Sequence, residues 1–300
     1  MKILNFGSLN LDYVYSVPHF VRPGETVLSY RRQTFCGGKG LNQSIAIARA
    51  GAKVWHAGKV GHLGEDLIGC LEEAGVDTSL VLVDQSEETG HTIIQVDPSG
   101  QNCILLYGGT NQQITLEEVD AAFCHCSAGD LLLLQNEINN IPDILEKAHN
   151  IGLQVALNPS PITKELLDYP LQYVKWFILN EIEGNEMTGK TDPADIAETL
   201  LYRYPRSAIV LTLGKKGVYY RDSVCTTRHG TYRVDRVDTT AAGDTFTGYF
   251  LSGIVKNLEI GENLRQASVA SSLAVSRPGA SPSIPLLNEV LHAALEPVNS

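Results

Sequence analysis

The sequence predicts an α/β fold in which helices cover both faces of a mostly parallel, doubly wound sheet, giving a three-layer αβα sandwich. Short β-prone apolar runs alternate with segments whose apolar residues recur every three or four positions, and strands that alternate with helices form parallel sheets. The 300 residues, 43% of them hydrophobic, can bury a substantial core. An α/β fold of this length is often a single domain, so we expect one main domain over residues 1–300.

The regular elements are predicted from these two patterns. The candidate buried strands are Ile3–Phe6, Val54–Val60, Leu131–Leu134, Val155–Leu157, Trp176–Leu179 and Ile209–Leu213. The candidate helices are Leu41–Ala50, Glu65–Ala74, Leu116–Phe123, Ile141–Asn150, Ala194–Tyr204 and Thr245–Val255. The strand runs are mostly apolar, as expected for strands buried on both faces of a parallel sheet.

Two stretches, 13–34 and 90–107, interrupt this alternation. They contain alternating polar and apolar residues, turn signals at Arg22-Pro23-Gly24 and Asp97-Pro98-Ser99-Gly100, and no helical period. We expect them to form the hairpins of a small antiparallel sheet inserted into the main domain. Such a sheet could serve as a lid over a cleft, and its second face would need a partner or solvent-tolerant residues.

Charge and composition exclude several functions. The formal net charge of −11 argues against nucleic acid, whose binding relies on Lys and Arg. No apolar run approaches the roughly 20 residues that span a bilayer, and the N-terminus lacks the pattern of a signal peptide, so we expect a soluble cytoplasmic protein without a membrane partner. The six cysteines are scattered without zinc-site spacing, which predicts reduced, mostly buried thiols.

The segment Asp238-Thr-Thr-Ala-Ala-Gly-Asp-Thr-Phe246 is the most informative part of the chain. Ala242 and Gly243 lack bulk, so a ligand can approach the backbone, and the helix that follows offers unpaired N–H groups to an anion. Asp244 could accept a proton from an attacking hydroxyl. This combination suits phosphoryl transfer, although an Asp that only caps the helix fits these residues equally well.

Other segments carry weaker signals. Gly37-Gly38-Lys39-Gly40 opens a helix and could approach a ligand, but it is not a Walker A loop and could be a simple turn. Asp12 lies just past the first predicted strand, where open α/β sheets bind ligands, and Glu137 follows a later strand.

Asn180-Glu-Ile-Glu183 and Thr212-Leu-Gly-Lys-Lys-Gly217 each allow two interpretations. Asn180 and Glu183 could face a phosphate-bound Mg²⁺ through water, or they could form a capping box at the start of a helix. The second segment is most simply a hairpin turn, and its small residues would also let a nucleotide lie across it.

Together these segments resemble the PfkB-type (ribokinase-like) sugar kinase family from end to end. The resemblance also includes Ser8-Leu-Asn-Leu-Asp12, Leu157-Asn-Pro-Ser-Pro161 and Arg277-Pro-Gly-Ala-Ser-Pro-Ser283, in the family's order and spacing. It implies the αβα sandwich with a lid and ATP-dependent phosphorylation of the O5 hydroxyl of D-ribose. Kinases for 2-deoxyribose, another sugar or a nucleoside are alternatives on the same scaffold, and a nonenzymatic sugar- or nucleotide-binding protein is an alternative of another class.

The resemblance assigns roles to individual residues. It implies Asp244 as the catalytic base. The residues implied to bind the sugar are Asn10, Asp12, Gly38, Lys39, Gly40, Asn42, Glu137 and Asp244. Those implied to bind ATP are Asn180, Thr212, Gly214, Lys215, Gly217, Ala242, Gly243 and Ser268, although Ser268 stands where some relatives have His.

The resemblance also implies cations and a partner. An activating K⁺ would be bound by Asp238, Thr240, Ala274, Arg277, Gly279 and Ser283, several of them through backbone oxygens. Mg²⁺ would bridge the ATP phosphates and contact Glu183 through water. The lid sheets would pair two copies of the chain as a homodimer.

Overall fold

The computed structural model describes residues 1–298 as alternating strands and helices. The strands are β1 (Ile3–Phe6), β2 (Asn10–Ser16), β3 (Arg31–Gly37), β4 (Val54–His62), β5 (Asp77–Glu88), β6 (Gly90–Val96), β7 (Asn102–Tyr107), β8 (Leu131–Gln135), β9 (Gln154–Asn158), β10 (Val174–Asn180), β11 (Ala208–Thr212), β12 (Val218–Arg221) and β13 (Thr226–His229). The α-helices are α1 (Lys39–Arg49), α2 (Glu65–Glu73), α3 (Leu116–Phe123), α4 (Ile141–Ile151), α5 (Glu181–Thr188), α6 (Pro193–Arg203), α7 (Ala242–Val255), α8 (Ile260–Val275) and α9 (Leu287–His292). Every strand and helix predicted from the apolar patterns is present, with ends shifted by up to three residues.

The large sheet has the strand order β13-β12-β11-β10-β9-β8-β1-β4-β5. Neighbouring strands in the part β11-β10-β9-β8-β1-β4-β5 are all parallel. Strands β12 and β13 add an antiparallel edge. Strands β4 and β5 lie on one side of β1, and the later strands, β8 to β13, lie in order on its other side. The switch point between β1 and β8 is where an open α/β sheet places its ligand, at the carboxyl ends of the strands.

Two apolar cores lie on opposite faces of this sheet. Side chains alternate between them along each strand, so Leu131 and Leu133 join one core while Leu132 and Leu134 join the other. The first core packs against α1, α2, α7, α8 and α9, and the second against α3 to α6. The predicted three-layer sandwich is therefore confirmed.

The lid is a separate sheet with the order β3-β2-β6-β7. Strands β2 and β3 form one antiparallel pair and β6 and β7 another, as predicted. The two pairs are joined by parallel pairing of β2 with β6, which the prediction of an antiparallel sheet did not include. The reason is that both β2 and β6 leave the carboxyl edge of the large sheet, after β1 and β5, and therefore run in the same direction.

The cysteine prediction is wrong in two respects. Cys36, at the end of β3, forms a disulfide with Cys70 in α2, and of the other cysteines Cys103 and Cys124 are exposed. The 34-residue separation carries no signal, because only the packing of the lid against α2 brings these two thiols together. Among residues 1–298 no helix is long and apolar enough to cross a membrane.

Candidate active site

The carboxyl ends of four neighbouring strands place polar side chains at one edge of the large sheet. Gln135 at the end of β8 pairs in register with Asn158 at the end of β9, and Asn180 at the end of β10 pairs with Thr212 at the end of β11. Each pair ends at one level, but β10 extends beyond β9, whose Leu157 pairs with Phe177, so the row of polar residues steps outward between Asn158 and Asn180. The row faces the N-termini of α1 and α7.

Asp244 occupies the first turn of α7 without capping it. The helix begins at Ala242 after Ala241, which has a left-handed φ of 58°, and no side chain caps this end. The Asp244 carboxylate instead accepts hydrogen bonds from Asn42 Nδ2 at 3.1 Å and from Gln43 Nε2 at 2.8 Å, both on α1. The capping interpretation of Asp244 is therefore wrong, because its oxygens point towards α1 and the site.

A cavity of about 230 Å³ opens beside the start of α7. It is lined by Lys39, Asn158, Ile178, Leu179, Asn180, Glu183, Thr212, Thr239, Ala241, Ala242, Gly243, Asp244 and Thr247. The free N–H groups and positive dipole of a helix N-terminus favour an anion such as a phosphate. A Cβ added to Gly243 would meet no atom within 4 Å, so the protein itself does not require glycine there. The free space is available to a ligand.

A second cavity of about 650 Å³ adjoins the first. Asn180, Thr212, Thr239, Ala242 and Gly243 line both. All the residues predicted to bind ATP lie on the wall of the larger cavity, including Gly214, Lys215 and Gly217 in the β11–β12 turn and Ser268 on α8. The hairpin is confirmed by the antiparallel pairing of β11 with β12. This arrangement suits a nucleotide whose phosphates point towards Asp244.

Several residues predicted to bind the sugar interact with Asp244: Asn42 donates to its carboxylate, and the charges of Glu137 and Lys39 act on it. Asp12 was predicted to lie just past the first main-sheet strand. In the structure it lies inside lid strand β2. Its Oδ1 accepts a hydrogen bond from Thr92 Oγ1 at 2.6 Å. Burial raises the pKa of Asp12 to about 6, the bond from Thr92 opposes this rise, and the nearby Glu137 carboxylate adds to it. Asn10 Oδ1 accepts from Asn111 Nδ2 at 2.7 Å.

Glu137 and Lys39 form the charged centre of this side. Glu137 Oε2 accepts hydrogen bonds from Ser8 Oγ and from the Lys39 backbone N–H at 3.1 Å. Burial raises the pKa of Glu137, and the Lys39 cation opposes that rise. Burial disfavours the charged form of Lys39, but the carboxylates of Asp244, Glu137 and Glu183 raise its pKa. The Lys39 cation thus lies at the smaller cavity among the carboxylates of Asp244, Glu137 and Glu183.

Gly40 brings α1 against the end of β1. A Cβ on Gly40 would lie 2.4 Å from Ser8 N and 2.6 Å from Ser8 O, closer than any side chain can approach. Leu41 N donates to Ser8 O at 3.0 Å at the same contact. Gly40 thus docks α1 closely against β1, and in this position Asn42 reaches Asp244.

The residues predicted to bind K⁺ come from the segment before α7 and from the end of α8 with the loop after it, and Gly279 N joins the two segments through Asp238. Asp238 Oδ1 accepts from Thr240 N at 2.9 Å and Thr240 Oγ1 at 2.7 Å, while Oδ2 accepts from Gly279 N at 3.0 Å. Arg277 pairs its side chain with Glu289 and offers only its backbone, and Ser283 is buried. Among residues 1–298 no three His, Cys, Asp or Glu side chains cluster as a metal site. The one carboxylate, Asp238, and the oxygen atoms of its neighbours are hard ligands and not the soft thiolates or imidazoles that many transition metals prefer.

Glu183 serves in the capping box that the spacing allowed. Asn180 Oδ1 accepts from Ile182 N and Glu183 N, and Glu183 Oε2 accepts from Asn180 N at 2.9 Å. Glu183 also lines the smaller cavity, so the capping box holds its carboxylate in a fixed position beside that cavity. The residues therefore fit a Mg²⁺ that is held by phosphates and reaches Glu183 through water.

The sequence patterns did not identify several residues of the site. Gln43, Thr92 and Asn111 contact predicted residues, and Ser271 and Ser272 line the larger cavity. Gln43 directly follows Asn42 on α1 and was the one most open to prediction. The others come from β6, the segment after β7 and α8, where no local motif marks them.

The comparisons with known proteins agree with this geometry. The model of the pfkB family carbohydrate kinases matches residues 1–287. A ribokinase of Staphylococcus aureus is 35% identical over 303 residues, covering 96% of this chain and 98% of that protein.

Solved structures are similar over nearly the whole chain. The ribokinase of Cryptococcus neoformans var. grubii serotype A in complex with ADP is 31% identical, with a TM-score of 0.85 over 97% of this chain and 98% of the other. The Arabidopsis thaliana ribokinase complexed with ribose and ATP is 28% identical, with a TM-score of 0.84 over 97% of both chains. This chain therefore belongs to the pfkB family of carbohydrate kinases.

Proposed function

We propose that this protein transfers the γ-phosphoryl group of ATP to the O5 hydroxyl of D-ribose. The observation that carries the proposal is the position of Asp244, at the junction between the cavity at the start of α7 and the sugar-side groups of Asn42, Lys39 and Glu137. The similarity to a ribokinase complexed with ribose and ATP supports the choice of both substrates.

The residues of the site suggest the following mechanism. Asp244 accepts the proton of the sugar O5 hydroxyl as that oxygen attacks the γ-phosphorus, and the bond to the bridging oxygen breaks to release ADP. The start of α7 at Ala242 and Gly243 and the Lys39 cation stabilise the charge on the transferred group. Asp12, Asn10 and Glu137 orient the sugar hydroxyls, and the lid excludes water.

Two cations belong to this proposal. Glu183, which lines the smaller cavity, would hold a water of a Mg²⁺ bound to the ATP phosphates, and that ion would supply charge neutralisation. Asp238, Thr240, Ala274, Arg277, Gly279 and Ser283 would hold K⁺. We expect K⁺ to raise the rate by fixing the loop beside the start of α7. A rate that stays the same when K⁺ is replaced by Na⁺ or by a large organic cation would contradict this role.

We also propose a homodimer formed through the lid sheets. Strand β7 exposes apolar side chains that include Ile104, Leu105 and Tyr107, and pairing of two lids would remove them from water. Light scattering at micromolar concentration should give the mass of a dimer, whereas a monomer would contradict the proposal. We expect the protein to act in the cytoplasm, without nucleic acid as a partner.

An acceptor panel tests the function. ATP consumption in Mg²⁺ and K⁺ is measured with ribose, 2-deoxyribose, fructose and adenosine, and we expect kcat/KM to be highest for ribose. A higher value for another acceptor would keep the kinase mechanism and change the substrate. If ribose protects the protein from thermal unfolding but no acceptor gives turnover, the protein is a binding protein and the proposal is wrong.

A further inference from the structure

A chain of buried polar side chains runs beneath the site and ends at Asp244. Its members, all fully buried, are His56, Ser44, Asn5, Gln135 and Gln43. Gln135 is central, because its Nε2 donates to Asn5 Oδ1 at 3.0 Å and to Gln43 Oε1 at 2.7 Å. Gln43 Nε2 then donates to Asp244 Oδ1 at 2.8 Å and to Asn158 Oδ1 at 3.0 Å.

Backbone carbonyls at both ends fix the direction of this chain. Asn5 Nδ2 donates to Gly40 O at 2.7 Å, and a carbonyl can only accept, so Asn5 must present Oδ1 to Gln135. Asn158 Nδ2 donates to Ile178 O at 2.9 Å, so Asn158 must present Oδ1 to Gln43. Both anchors therefore require Gln43 to direct its N–H groups towards Asp244 and Asn158.

The far end of the chain is consistent with the same direction. Ser44 Oγ accepts from Asn5 Nδ2 at 2.8 Å, which leaves the Ser44 hydroxyl hydrogen for His56 Nδ1 at 2.8 Å. Burial lowers the pKa of His56 to about 4, so the ring is neutral and its Nδ1 can accept. The amides of Asn5, Gln135, Gln43 and Asn158 therefore keep one orientation.

We propose that Gln43 is a positioning residue for Asp244, and that Gln135 acts through it by preventing the Gln43 amide from turning its oxygen towards the carboxylate. The second donor, Asn42 Nδ2, holds the other carboxylate oxygen at 3.1 Å. Bonds to both oxygens stop the carboxylate from rotating away from the incoming hydroxyl. Gln43 and Gln135 are fully buried and neither lines the two cavities, so we expect both to act on Asp244 rather than on a substrate. The inference deepens the proposed kinase function and rests on it.

The test compares Gln43→Met and Gln135→Met with wild type in steady-state kinetics with ribose and ATP. Both variants remove amide donors while keeping a long side chain. Hydrogen bonds to a charged group have a free energy that corresponds to about 10- to 100-fold in rate, so we expect kcat to fall by that factor. We expect KM for ribose and for ATP to stay within about 3-fold, because substrate binding is untouched.

The double variant separates positioning from simple loss of stability. If Gln135 acts only through Gln43, then Gln43→Met/Gln135→Met has the same kcat as Gln43→Met alone. Asn263→Leu is the matched control, since Asn263 is a fully buried amide on α8 that donates to Phe250 O, away from the chain. This control should lower the thermal midpoint and leave kcat per folded molecule unchanged.

The outcomes are distinct. A fall in kcat at constant KM, without a further fall in the double variant, supports the proposal. Three outcomes overturn it. The first is an unchanged kcat in folded Gln43→Met or Gln135→Met, and the second is a rise in KM in place of a fall in kcat. The third is a double variant in which the two losses of kcat multiply. If Gln43→Met does not fold, Gln135→Met alone decides by the same split between kcat and KM. Absence of turnover by wild type with every acceptor would refute the proposed function itself.

Discussion

Replacing Asp244 by Asn tests the central role proposed for this chain. The change keeps the size of the side chain and removes its ability to accept a proton. General base catalysis contributes about 10²- to 10⁴-fold, so we expect kcat to fall by at least about 100-fold. KM for ribose and ATP should change much less, because the other contacts of both substrates remain.

The structure adds a stability cost to this substitution. Both carboxylate oxygens of Asp244 accept from amide N–H groups, of Asn42 and of Gln43, so either orientation of an Asn amide places a donor against a donor. One unsatisfied buried donor costs about 1–3 kcal/mol, and we expect the free energy of unfolding to fall by that amount with the fold retained. Circular dichroism during thermal unfolding measures this cost independently of activity.

The assay is ATP consumption with saturating ribose, Mg²⁺ and K⁺. Asp235→Asn is the control, because it makes the same chemical change at an exposed position on the segment that leads to α7. It should leave both kcat and the unfolding midpoint at the wild-type values. An Asp244→Asn enzyme with more than about a tenth of the wild-type kcat would refute the assignment of Asp244 as the base.

Three further predictions follow from the geometry. Gly243→Ala should leave the free energy of unfolding unchanged or raise it by up to about 1 kcal/mol, because Ala is the better helix former and its methyl meets no protein atom. The same variant should lower kcat about 100-fold, because the methyl occupies the space proposed for the phosphate. A loss of stability with intact kcat would contradict this prediction. Gly40→Ala should lower the free energy of unfolding by about 1–3 kcal/mol in chemical denaturation, because its Cβ overlaps the Ser8 backbone, and wild-type stability would show that the contact is dispensable. For Asp12, whose pKa is raised to about 6, protonation on lowering the pH from 7 to 5 removes an acceptor for the sugar, so KM for ribose should rise about 10-fold. Asp12→Asn should have a higher KM for ribose that no longer changes between pH 7 and pH 5. If the pH dependence of KM persists in this variant, it is assigned to Glu137 instead.

The local patterns of the sequence determined the fold class and the location of the site. Apolar runs such as Leu131–Leu134 can be buried only between two helical layers, and the small residues around Gly243 leave room at a helix start for an anion. Both are properties of neighbouring residues, so they can be read without knowing the tertiary structure. The segment Asn180–Glu183 shows the limit of such reading, because its spacing fitted both a capping box and a phosphate site, and in the structure Glu183 completes the capping box and also lines the smaller cavity.

Only the tertiary structure decided which distant residues meet. The parallel pairing of β2 with β6 places Asp12 beside Thr92, and the packing of the lid on α2 joins Cys36 to Cys70. The bond between Gln43 and Asp244 spans 201 positions, and the chain behind it collects side chains from β1, α1, β4 and β8. Buried amides need partners, but any of many Asn, Gln and Ser residues could supply them, so composition and spacing leave the choice open. The register of the strands and the docking of α1 at Gly40 make that choice, because they alone fix which donors and acceptors lie within hydrogen-bond distance.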